Sequence, residues 1–320
     1  EFLDVLAVAR REGAMVMVHA ENNDMIMWMA ERLLAAGLSD PRYHATARPM
    51  LVEREATHRT ISMAELVDVP VLIVHVSGAE AIEQIKWAQN RGLKVFAETC
   101  PQYLFLTEDD LDRPGLEGAK YMCSPPPRDK ENQEIVWQAL EEGVFEVFSS
   151  DHAPYRFDDP NGKLAAGETP HFKQIANGVP GIETRMTLLM SEGVNKGRIS
   201  LQEFVALTST NAAKLYGLHP RKGDITEGSD ADFILWDMNK EVTISQELLH
   251  DAMDYTPYQD FKVTGWPIMT YLRGKKICDS GNFLGRAGEG QFLECQRPPA
   301  LDLPTNLPTN FDPVEGRFRS

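Results

Sequence analysis

The 320-residue chain predicts an α/β fold in which parallel strands alternate with covering helices, as in a barrel, followed from Leu218 by a smaller antiparallel β unit. Three stretches carry that reading: Ala14-Met-Val-Met-Val-His19-Ala-Glu-Asn22, Val71-Leu-Ile-Val-His75-Val-Ser77 and Val144-Phe-Glu-Val-Phe-Ser-Ser-Asp151-His-Ala-Pro154. Each is a short run of Val, Ile, Phe or Met bounded by polar or turn residues, the pattern of a parallel strand buried on both faces. Each ends on a side chain able to bind a metal. The C-terminal ends of parallel barrel strands converge on one face, so His19, His75 and Asp151 can meet there. Two imidazoles and a carboxylate are the ligand set of a hydrolytic zinc-type centre. A lone strand-end His is more often a hydrogen-bonded structural residue, but three ligand-type residues at three strand ends outweigh that reading.

The totals narrow the function. A composition of 42% hydrophobic and 25% charged residues is that of a soluble globular protein, long enough for one large α/β barrel or two ordinary domains. With 48 acidic against 32 basic residues the net charge is −16, and no Lys/Arg run tracks a phosphate backbone, which argues against a nucleic-acid partner. Cys100, Cys123, Cys278 and Cys295 show no CxxC spacing, so neither a disulfide framework nor a cysteine zinc site is expected, and a reducing cytoplasm fits best. No apolar run approaches the roughly 18 residues that span a bilayer, and membrane partners are not expected. Residues 1–12 read as the tail of an amphipathic helix within a continuing pattern, the expectation being a chain truncated at its N-terminus.

Taken in order, Asp24 to Ala36 carries Met25, Trp28, Met29, Leu33 and Leu34 at helical spacing and closes on Gly37, predicting a covering helix whose stripe is packing. Segment 38–52 reads as a loop held by Pro41 and Pro49, and a second helix follows over 53–68. After the strand ending at His75 come a helix over Ala79–Asn90 and the strand Lys94-Val-Phe-Ala-Glu98-Thr-Cys. Ser124-Pro-Pro-Pro-Arg128 is a rigid turn placed to hold a loop over the strand ends. A helix over 131–142 leads to the strand ending at Asp151, and the long Gly/Pro-rich stretch Pro154–Pro180 has the length of a functional loop. Helical segments are predicted near 181–193, 200–207 and 209–216. From Leu218 short alternating runs separated by Gly and Asp, beginning with Arg221 to Asp237, predict antiparallel β. Gly223, Gly228 and Gly274 read as turn glycines, and Asp230/Asp232 as turn chemistry rather than a metal site.

The ordered succession Val18-His-Ala-Glu-Asn22, Val74-His-Val-Ser77, Glu98-Thr-Cys-Pro-Gln-Tyr-Leu104, Ser124-Pro-Pro-Pro-Arg128, Ser150-Asp-His-Ala-Pro154 and Asn177-Gly-Val-Pro-Gly-Ile-Glu-Thr-Arg185 resembles the hydantoinase/dihydropyrimidinase branch of the cyclic amidohydrolases. The resemblance runs from residue 13 to about 295. Each motif alone is weak and the ordered set is specific. It implies the C-terminal part of a (β/α)8 TIM barrel, strands 5–8, over residues 1–217; a small β-sandwich over 218–296; and an extended or disordered tail over 297–320. It further implies two divalent metal ions, most often Zn2+, bridged by a carbamylated lysine, with His19 and His75 on one metal and Asp151 on the other as proton shuttle. Ser124 and Asn177 match positions that hold a cyclic amide or imide largely through backbone groups. The implied reaction is hydrolytic ring opening of hydantoins or 5,6-dihydropyrimidines to N-carbamoyl amino acids by a cytoplasmic homotetramer or homodimer.

The chain also departs from that pattern. The family's His-x-His pair on the first strand and the lysine on the fourth are absent, as is the substrate tyrosine that follows the lysine. The expectation is therefore that the isolated chain does not assemble the centre alone. Allantoinase and dihydroorotase share the barrel and its metals and stand as alternatives. A non-catalytic scaffold, such as the dihydropyrimidinase-related neuronal proteins, is disfavoured because His19, His75 and Asp151 are all retained. His152, next to Asp151, is expected to point away from the metals and serve a structural role, since neighbouring strand residues face opposite sides.

Overall fold

The computed structural model describes residues 1–319. Helix α1 (Phe2–Glu12) ends at Gly13, whose φ of 70° turns the chain into β1 (Val16–Val18). Helix α2 (Asn23–Ala35) begins where the Asn22 side chain accepts the Met25 N–H at 3.1 Å. Ile26 and Ala30 are its buried residues, with Met29, Leu33 and Leu34 packed against a neighbouring apolar cluster. Trp28 departs from the expected packing stripe: it lies on the outward side and is 55% exposed, its ring covered by the Arg32 guanidinium 3.5 Å from the centroid. Segment 38–52, expected as a loop, contains α3 (Tyr43–Thr46) and the start of α4 (Met50–Val67). Pro49 lies just before α4, where its extended backbone sets the entry and its missing N–H costs nothing.

The chain continues through β2 (Val71–Ile73), α5 (Ala79–Asn90), β3 (Val95–Thr99), α6 (Pro101–Phe105), α7 (Lys130–Glu141) and β4 (Val147–Phe148). The four strands form one parallel sheet in the order β1-β2-β3-β4, with Val18 beside Ile73 and Ile73 beside Ala97. Sequential parallel strands joined by helical crossovers are the βα plan. Val71, Leu72 and Ile73 are at most 1% exposed, and burial of each contributes about 1.5–3 kcal/mol. Beyond the loop after β4, α8 (Arg185–Leu189), α9 (Leu201–Val205) and α10 (Asn211–Leu215) are extended or joined by wider π turns at Met190–Val194 and Ala206–Thr210.

A second sheet is antiparallel, in the order β5 (Phe233–Thr243), β6 (Lys262–Leu272), β7 (Lys275–Asp279), β8 (Asn282–Phe283). The preceding stretch Arg221 to Asp232 forms turns rather than a strand. The Lys222 ammonium is held by Asp230 at 2.8 Å and by Asp232, whose other oxygen accepts the Arg273 N–H at 2.7 Å. Acidic side chains that satisfy nearby backbone and lysine groups favour turns over a ladder. Residues 297–319 carry little regular structure beyond a short turn at Pro299–Asp302 and the hairpin of β9 (Phe311–Asp312) with β10 (Arg317–Phe318). The buried Asp312 carboxylate accepts both terminal nitrogens of Arg10, at 3.0 and 2.6 Å, tying this hairpin to α1. Among the described residues no helix is long and apolar enough to cross a membrane.

Candidate metal centre

The register of β1 and β2 determines where the first two strand-end residues fall. Val18 lies beside Ile73, and the Val74 N–H donates to the Val18 carbonyl at 3.2 Å, so the chains leave the sheet side by side. His19 and His75 follow, with His19 Nδ1 facing His75 Nε2 at 2.8 Å and the rings meeting edge to face. His75 is buried and adopts φ 41°, and Asp151 adopts φ 45°. Left-handed backbone costs a non-glycine residue about 1–2 kcal/mol, and such strain concentrates at working sites. Both candidate ligands thus carry it.

The other face of His19 is held by Glu21. The His19 Nε2 lies 3.0 Å from the Glu21 carboxylate, which also takes Arg48 Nη1 at 2.5 Å. Burial pushes the Glu21 carboxyl up, but the His19 ring and the Arg48 guanidinium outweigh it and leave the acid below its ordinary range. A carboxylate on Nε2 keeps the proton there and leaves Nδ1 as a lone pair, which is how carboxylates orient metal-binding imidazoles. The motif is thus divided: His19 faces the site, Glu21 orients it, and Asn22 caps α2. Burial, reinforced by His19, pushes His75 down to about 4, so its ring is neutral near pH 7. Its Nδ1 is buried without a hydrogen-bond partner among the described residues.

Asp151 ends the run after β4. Burial raises its carboxyl to about 6, while the neighbouring His19 pulls the other way. The two histidines are brought into contact; Asp151 is not brought close enough to make a third donor to the same point. Among the described residues no group of three or more His, Cys, Asp or Glu side chains could hold a metal ion. The donors present fit two ligands of one cation, since zinc-bound nitrogens in a tetrahedral site lie about 3.3 Å apart and the pair needs only a small separation to reach that. His152 bonds neither ring of the pair; its Nδ1 accepts the Gly181 N–H at 3.1 Å.

The remaining motifs build the walls. Ser77 bonds Glu53 through both its N–H, at 2.9 Å, and its hydroxyl, and Arg128 donates to Ser77 Oγ at 3.0 Å and to Glu53 at 3.1 Å. The Arg128 end of the triple-proline turn is thereby locked to the residue two places after His75. Tyr103 donates its hydroxyl to the Pro125 carbonyl at 3.0 Å. The buried His44 ring, pushed down to about 3 by burial and by Arg48, bonds the Cys123 carbonyl at 2.9 Å and lies 3.3 Å from Ser124 Oγ. Asn177 begins a stretch that docks on both neighbours: the Gly178 N–H donates to the Met122 carbonyl at 2.9 Å, and the Ala153 N–H to the Val179 carbonyl at 3.1 Å. Ser124, Asn177 and Asp151 thus lie on adjoining backbone segments. The orienting roles of Glu21 and Arg48 were missed at the sequence level; the carboxylate two residues after His19 was the available signal.

Comparison with known proteins follows the same lines. A model described as the amidohydrolase family matches residues 1–277. A D-hydantoinase of Rhizobium radiobacter is 46% identical over 290 residues, covering 91% of this chain and 62% of the relative. The solved dihydropyrimidinase of Brevibacillus agri superposes with TM-score 0.88 at 45% identity over 91% of this chain and 62% of that one. An L-hydantoinase (dihydropyrimidinase) of Arthrobacter aurescens superposes with TM-score 0.82 at 31% identity, over 91% of this chain and 63% of that one. The chain spans 62–63% of the length of the first curated relatives it matches.

Proposed function

Because the chain belongs to the amidohydrolase family, we propose that the protein carrying it opens cyclic amides by hydrolysis, converting hydantoins and 5,6-dihydropyrimidines to N-carbamoyl amino acids. The observation that carries the reading is the His19 Nδ1 to His75 Nε2 approach at 2.8 Å on adjoining strand ends. The similarity to proteins named D-hydantoinase and dihydropyrimidinase directs it to this ring chemistry.

His19 and His75 would hold one divalent cation and Asp151 would contribute to a second. When bound, the two cations, for which Zn2+ suits imidazole and carboxylate donors best, lower the pKa of water toward neutrality and polarise the ring carbonyl. Glu21 keeps the His19 lone pair aimed at the site. The Asp151 carboxylate takes the proton of the attacking water and returns it to the departing ring nitrogen. The Ser124 and Asn177 backbones hold the ring. The remaining ligands, a His-x-His pair and a bridging carbamylated lysine, are absent from these 320 residues: no His-x-His occurs, and none of β1 to β4 ends on lysine. This reading requires them from outside the residues described here.

The same reading takes 1–217 as the second half of a barrel, with β1 to β4 as its fifth to eighth strands, and 218–296 as a β-sandwich unit. It places the protein in the cytoplasm as a homodimer or homotetramer. The test is a panel of hydantoin, dihydrouracil, allantoin and dihydroorotate, with ring opening followed by product chromatography. Preferential opening of the first two is expected. Preference for allantoin or dihydroorotate moves the protein to another branch, and turnover of none refutes the enzymatic reading.

A further inference from the structure

Lys163, in the loop after β4, is fully buried, and its ammonium donates to the Met122 carbonyl at 3.2 Å and the Ala176 carbonyl at 3.0 Å. Those carbonyls stand beside the two stretches that flank the candidate site, Cys123-Ser124-Pro125 and Asn177-Gly178. The Met122 carbonyl also receives the Gly178 N–H at 2.9 Å, so the ammonium reinforces a backbone contact already bridging them. The lysine is itself held, its N–H donating to the Arg156 carbonyl at 2.8 Å. Gly162 allows this approach, because a Cβ there would stand 2.0 Å from the same carbonyl oxygen.

Burial of an ammonium among carbonyls, with no carboxylate partner among the described residues, is costly, and a methionine would fill the space without that cost. Burial pushes the Lys163 pKa down to about 7. What the ammonium supplies and an apolar side chain cannot is a link between two carbonyls on different segments. Ser124 is also steadied by His44, whose Nε2 lies 3.3 Å from its Oγ.

We propose that Lys163 is a positioning residue for the cyclic substrate: its buried ammonium ties Met122 to Ala176 and so determines the gap between the Ser124 and Asn177 backbones. The proposal rests on the reading that those two backbones hold the ring. Lys163 touches neither ring nor metal and acts through the two segments alone.

The test compares the natural sequence with Lys163→Met, which keeps the stem and removes the donor, and Lys163→Gln, which restores an N–H donor at shorter reach. Hydrogen exchange on the 320-residue chain reads the tie directly; substrate kinetics and metal content on the ring-opening protein read its consequence. Lys163→Met is expected to speed exchange of the Gly178 amide about tenfold or more and to raise KM by a similar factor, with metal content unchanged and kcat within about twofold. Lys163→Gln is expected to recover part of both. Unchanged exchange overturns the tie. Faster exchange with unchanged KM upholds the tie and overturns the placing of the ring between the two segments. Loss of kcat and metal in both variants alike, with a matching fall in the urea midpoint, means that Lys163 serves only packing and overturns the proposal.

Discussion

His19 Nδ1 and His75 Nε2 face each other at 2.8 Å because β1 and β2 run parallel in a register that brings both rings out on the same side. With Glu21 on His19 Nε2, the proposed role of the pair is to hold a cation through the two facing nitrogens. The protein that carries this chain should therefore bind Zn2+ through the pair. Replacing His19 or His75 by alanine is expected to weaken binding by about a hundredfold or more, and Glu21→Gln by about tenfold to a hundredfold, in competition titrations against a chromogenic chelator. Equal affinity in all of these variants would show that the pair is structural.

The adjacent residues Asp151 and His152 separate by role. His152 accepts the Gly181 N–H, with Ile182 N–H at the longer distance of 3.4 Å, so His152→Ala leaves a donor without its partner. Urea unfolding is expected to register a loss of about 1–3 kcal/mol, while metal content of the assembled protein stays at the natural level. Asp151→Asn is expected to do the reverse. If His152→Gln stripped metal as fully as Asp151→Asn, the assignment would fail.

Acid should unfold the chain partly through His44. Its folded pKa of about 3 lies below the ordinary value of 6.5, so between these limits the unfolded chain binds more protons and stability falls as pH drops. The contribution by pH 4 is on the order of 3 kcal/mol. His44→Gln, neutral in both states, should flatten the stability profile from pH 6.5 to 4, and an unaltered slope would show that the ring is solvated.

Glu146 produces the opposite slope. Burial raises its pKa to about 7 from 4.5, so the folded state holds the proton more tightly and stability falls as pH rises from 4.5 to 7. Its carboxyl accepts the Ala97 N–H at 2.8 Å, a bond that a glutamine oxygen also accepts. Glu146→Gln is expected to add about 1–3 kcal/mol at pH 8 and almost nothing at pH 4. Destabilisation at pH 8 would mean that the ionised form has a partner.

The parallel strands were legible because strands buried on both faces are short apolar runs, and the candidate ligands because they stop those runs at His19, His75 and Asp151. Trp28 was misjudged because helical spacing places a residue on a stripe without saying which edge of the stripe meets the core; Arg32 covers it instead. Arg221 to Asp232 alternates like a strand, yet Asp230 and Asp232 spend that alternation on Lys222 and Arg273. The bonds from Glu21 to Arg48 and from Lys163 to Met122 join residues far apart in sequence, and no local period marks them.

The central claim is metal-dependent ring opening through the His19 and His75 pair, and the most direct measurement is release of N-carbamoyl product from dihydrouracil and hydantoin by the natural protein. It is run metal-loaded, after chelation, after Zn2+ is restored, and with His75→Asn under matched metal. Turnover that disappears on chelation, returns with Zn2+ and is lost in His75→Asn is the predicted result. Turnover that survives chelation, or persists undiminished in His75→Asn, would contradict the account.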